Sequence, residues 1–144
     1  MRKGVHFLSR GFGAYAKKII DDSEAVLYEY GSFNLNDANY SNKERISDGI
    51  ITIQKECFVE PEIHEKIKKL PSVRKKLITK RVLVDVDYGN FLIKGKIIVE
   101  NCSNCWHKIM NELQVDAMAC HLLYYIFEQY QIDGKIPEKI SYYV

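Results

Sequence analysis

The strongest constraint on the fold lies toward the C-terminal end, where Ala119, Leu122, Leu123, Ile126 and Tyr130 recur at intervals of three and four between Asp116 and Asp133-Gly134. Apolar residues at that period share one face of a helix. A carboxylate just before the first of them accepts hydrogen bonds from the unpaired N–H groups of a first turn, and a glycine just after the last supplies the left-handed residue that closes one. A helix with so apolar a face must bury it. The rest of the chain offers mainly strands to bury it against.

The first third reads as strands at Val5 to Leu8, Tyr15 to Ile20 and Ala25 to Tyr30, the last two joined by a turn at Asp21-Asp22-Ser23. Their β-branched and aromatic content suits a pleated surface. Gly31 to Asp48 is rich in Asn, Ser and Asp, which bond their own backbone and favour loops, and a loop of this length is commonly functional or mobile. Gly49 to Ile53 resumes a strand, and Ile140 to Val144 predicts a short terminal strand in the sheet or at its edge.

In the middle, Pro61 opens a helix on whose inner face Ile63, Ile67 and Leu70 fall, Pro71 ends it, and Ser72 caps a second carrying Val73 and Leu77. Residues 62 to 81 thus read as a short helical pair with basic outer faces. Val82, Val84 and Val86 alternate with Leu83, Asp85 and Asp87, which predicts a strand returning through Tyr88-Gly89-Asn90 into Phe91 to Val99 as a hairpin. From Cys105, the residues Trp106, Ile109, Met110 and Leu113 predict a further helix. The expected fold is a single α+β domain over residues 1–144: a mainly antiparallel sheet packed by a long C-terminal helix and a short basic helical pair.

Composition agrees, since 47% hydrophobic and 28% charged residues in 144 describe an ordinary globular chain and exclude a disordered or fibrous one. No window reaches the roughly 18 consecutive apolar residues of a membrane span, and the start lacks the apolar core of a secretory signal. The expectation is a cytoplasmic protein whose cysteines, at 57, 102, 105 and 120, are reduced thiols.

Several short motifs suggest chemistry. Gly11-Phe12-Gly13 follows an apolar run, as a dinucleotide loop does, but Glu29 comes too soon after it for a crossover helix, so a turn or bulge is the expectation. Asp85 and Asp87 end an apolar strand and resemble the opening motif of phosphatases with an aspartate nucleophile, or the paired acids of glycosyltransferases. No later paired-acid or lysine motif follows, which leaves the solvent edge of a hairpin. Cys102 and Cys105 lead into the expected helix, where the dipole favours a thiolate. Together with His107, and with Cys120 or His121 as a fourth ligand, they form a candidate zinc site, or a thiol-redox pair without it. Apart from that zinc, no cofactor is expected. The four histidines form no triad with a serine, so no catalytic residues are assigned.

The remaining signal is charge. The net charge is only +2, yet Lys66, Lys68, Lys69, Arg74, Lys75, Lys76, Lys80 and Arg81 fall in one acid-free run, leaving 13 basic against 19 acidic residues elsewhere. Every catalytic motif is incomplete while positive charge is concentrated on this segment. The expectation is a non-enzymatic interaction protein, of the immunity or inhibitor kind or a small complex subunit, that binds an acidic protein partner through these eight residues. The alternatives are nucleic-acid binding through the same residues, and a thiol or zinc protein using Cys102 and Cys105.

Overall fold

A computed structural model describes residues 11–69, 75–100, 102, 107–110 and 113–143, and the expected strand at Val5 to Leu8 lies outside them. In chain order the elements are β1 (Phe12–Asp21), β2 (Ala25–Asn34), β3 (Gly49–Gln54), β4 (Glu62–Lys69), β5 (Lys75–Val82), α1 (Tyr88–Ile93), β6 (Ile97–Glu100), β7 (His107–Met110), β8 (Leu113–Asp116), α2 (Ala117–Asp133) and β9 (Lys139–Tyr143). The main sheet is antiparallel, in the order β6-β3-β2-β1-β9, and β4–β5 and β7–β8 form separate two-stranded pairs.

The β1–β2 turn closes because Asp22 Oδ1 accepts the N–H groups of Glu24 and Ala25, each at 2.9 Å. Gly11, at φ +82°, leads directly into β1 rather than into a helix, so the glycines open a strand and do not cradle a phosphate.

Alternation along the strands decides which face is buried. Ala14 and Ala16 of β1, Val26, Tyr28 and Tyr30 of β2, Ile51 and Ile53 of β3 and Ile97 of β6 are shielded from water, clustered with Leu122, Leu123, Ile126 and Phe127 of α2. Each of the larger aliphatic and aromatic side chains contributes about 1.5–3 kcal/mol of burial. Small alanines on β1 let the helix approach, while the long tyrosines of β2 carry hydroxyls that need partners. Tyr28 donates to the Pro137 carbonyl and Tyr30 to Asp116 Oδ2 at 2.8 Å. Asp116 also caps α2, its Oδ1 accepting the Met118 N–H at 3.0 Å, and Gly134 at φ +73° ends the helix by donating to the Tyr130 carbonyl at 2.7 Å. The long helix, its cap, its stop and the terminal edge strand all lie where the sequence places them.

Three expectations are corrected. Residues 62–69 and 75–82 are strands of a hairpin, not a short basic helical pair. The spacing of four between Ile63 and Ile67 suits both periods, and the β-branched Ile63, Ile67, Ile78, Thr79 and Val82 favour the strand. The helix expected from Cys105 is replaced over its described residues by β7 and β8, with Met110 opposite Leu113, the separation of a tight hairpin. The hairpin expected over 82–99 is an irregular strap at 83–87 followed by α1, whose first turn Asp87 caps through the Asn90 N–H at 3.1 Å.

Asn42 ties the asparagine-rich loop down. At φ +48° its Nδ2 donates to Tyr15 Oη, the Ser32 carbonyl and the Ile46 carbonyl, each at 3.0 Å, while its Oδ1 accepts the Ile46 N–H at 2.9 Å. Arg45 then lies 4.9 Å from the Tyr15 ring centroid and 5.6 Å from that of Phe33.

Candidate functional site

The β4–β5 ribbon gathers seven of the eight basic residues onto two facing strands; Arg74 lies outside the described residues. Eight residues per strand give a ribbon roughly 26 Å long. Its register sets Lys68 opposite Lys76, Lys69 opposite Lys75, and His64 opposite Lys80. Ile67 stands opposite Leu77, and Ile63 shares their alternation phase. These three aliphatic side chains are 66%, 58% and 55% exposed respectively, although each would gain about 1.5–3 kcal/mol from burial.

Arg81 is used differently. Its guanidinium donates to the carbonyls of Gln131 at 3.0 Å and Ile132 at 2.7 Å, so it satisfies two carbonyls of the last turn of α2 and anchors the foot of the ribbon. Lys80 is exposed.

The cysteine region separates. Cys102 is partly buried, outside any disulfide and within hydrogen-bonding reach of the Tyr30 hydroxyl, which burial, the Asp116 carboxylate and this thiol together hold far above the usual phenol range. Cys105 lies outside the described residues, and His107 contributes its backbone to β7. Among the described residues no three His, Cys, Asp or Glu side chains converge as a metal site, and no helix is long and apolar enough to cross a membrane.

Sequence reasoning missed a cleft of about 350 Å³ between the strap and α2. Tyr124, Phe127, Glu128 and Gln131, spaced as one helical stripe, form one wall, and strap residues from Leu83 to Val86 with Tyr88 form the other. Gln131 is buried, and its amide accepts the Val84 N–H at 2.8 Å and donates to the Val84 carbonyl at 2.9 Å. This pair replaces the ladder that Val82, Val84 and Val86 would have made in a hairpin. The one legible signal was a glutamine at the inward end of an apolar helix.

No protein-family model matches this chain, and neither a curated protein nor a solved structure shows significant similarity to it.

Proposed function

We propose that this is a non-enzymatic binding protein whose β4–β5 ribbon engages an acidic protein partner. The observation that carries this reading is the combination of an exposed aliphatic row, Ile63, Ile67 and Leu77, with lysines set opposite one another along the same strands. An exposed aliphatic row on a pair of strands rich in lysine positions suits a protein interface, in which aliphatic contacts supply affinity and charge supplies orientation and encounter rate. Positive charge concentrated along the ribbon is favourable once acidic groups lie against it.

One dimension favours nucleic acid as the second reading: a two-stranded ribbon fits the major groove of a duplex. The aliphatic row has no function against phosphates, which ranks this reading lower. Capture from nuclease-treated native lysate separates the two when the parent is compared with a K68E/K69E/K75E/K76E variant. A stoichiometric protein retained by the parent and lost from the variant is the expected result. Equal retention by both, or a partner released by nuclease, overturns the reading.

A further inference from the structure

We infer that the cleft between the strap and α2 is a binding site for a small organic cation, an ammonium carried on an apolar body. Its volume of about 350 Å³ falls within the range of small-molecule sites, about 300–1,000 Å³. The site is built in advance of any ligand. The Gln131 amide holds the Val84 backbone by two hydrogen bonds, Arg81 fixes the start of the strap to the last turn of α2, and Asp87 fixes its end to the first turn of α1. The strap can therefore neither collapse onto the helix nor leave it without breaking several of these bonds.

Charge and shape select the ligand. Leu83, Val86 and Phe127 give the interior its apolar surface, and Phe127 is buried. The polar side chains of the lining are Asp85, Glu128, the phenols of Tyr88 and Tyr124, and Gln131, whose amide is held by Val84; no lysine, arginine or histidine is among them. Tyr124 is hydrogen-bonded to Glu128 and lies in the field of Asp85, so these three groups meet in one region. Among the described residues neither carboxylate has an ion-pair partner. Two carboxylates that share the lining with two tyrosines and an apolar interior favour a cation by direct Coulomb attraction, to which an aromatic ring adds where the cation meets its face. They disfavour an anion for the same reasons.

Three probes share one aromatic body and differ in charge: 2-phenylethylammonium, 2-phenylethanol and phenylacetate. Titration of each into the protein, followed through the NMR signals of Tyr88, Tyr124 and the Val84 amide, gives the affinities. The ammonium is expected to bind about tenfold or more tighter than the alcohol, and phenylacetate not to bind. Asp85→Asn and Glu128→Gln should each weaken the ammonium about threefold to tenfold and leave the alcohol unchanged. Glu128→Asp, which keeps the charge, should retain most of the affinity. Asp85 is exposed and Glu128 half-buried, and an unchanged thermal midpoint of each variant confirms that it is folded. Equal affinity for ammonium and alcohol, shifts mapping elsewhere, or no shifts at millimolar probe overturns the assignment.

Discussion

Removing the Tyr30 hydroxyl tests how the long helix is joined to the sheet. Asp116 is 4% exposed and holds two donors, the Tyr30 hydroxyl on Oδ2 and the Met118 N–H on Oδ1. In Tyr30→Phe the ring still packs, but a buried carboxylate oxygen loses a charge-assisted hydrogen bond, for which about 1.5–3 kcal/mol is expected. Asp116→Ala loses more, because the cap, worth about 0.5–2 kcal/mol, goes as well and the Tyr30 hydroxyl is left with only the Cys102 thiol. Asp116→Asn keeps one acceptor oxygen, enough for the Met118 N–H, and sets an amide N–H2 against the Tyr30 hydroxyl, which must turn to accept, so it should lie between the parent and the alanine variant.

Urea unfolding at neutral pH measures all three. The same residue sets a pH limit: burial first, then Asp116, raises the Tyr30 phenol in the folded state, and burial raises Tyr28 too. The unfolded chain then releases these protons first, so stability is complete below about pH 10 and falls above it, at about 1.4 kcal/mol per pH unit for each phenol. Tyr30→Phe should flatten that decline. A Tyr30→Phe change of less than about 0.5 kcal/mol, with the alkaline decline intact, would refute the reasoning.

Gln131→Leu removes both bonds to Val84 and leaves a strap N–H and carbonyl unpaired, so a loss of about 2–4 kcal/mol and faster exchange of the Val84 amide are expected by hydrogen-exchange NMR. Asn42→Ala frees the loop from Tyr15, Ser32 and Ile46, with a loss of about 1–3 kcal/mol in urea unfolding and proteolytic nicking between β2 and β3 as the readouts. Hydrogen bonds from Lys55 and then Lys18 hold the Asp21 carboxyl below its ordinary value. The stability this adds is present above about pH 4 and is lost as pH falls through the lowered value, so an acid titration of Asp21→Asn should show a shallower decline below pH 4 than the parent. Equal acid limbs would count against the ion pair.

The sequence made the C-terminal helix legible because three independent signals, an Asp116 cap, a Gly134 stop and a period near 3.6, agreed. The first hairpin was legible because Asp22 favours a turn between two β-rich runs. The ribbon was not legible because a spacing of four between apolar residues is common to both periods, and prolines at 61 and 71 suit the punctuation of a helix as well as the ends of strands. The strap was misread because its partner is a side chain 47 residues away in sequence, a contact that no local pattern encodes. For the candidate site, the chain position of the basic residues was legible. Their arrangement as facing pairs depends on a register that composition cannot supply, and the commitment of Arg81 to the end of α2 is a tertiary fact.

The central claim is that the ribbon binds an acidic protein through separate charged and aliphatic contributions. Stopped-flow association and dissociation with the captured partner, at low and physiological ionic strength, tests it most directly. Reversing Lys68, Lys69, Lys75 and Lys76 should slow association by about tenfold or more at low salt, with the difference shrinking as salt rises. Ile67→Ser/Leu77→Ser, at exposed positions that leave the fold intact, should leave association nearly unchanged and speed dissociation. Rates unmoved by both sets of changes would contradict the account.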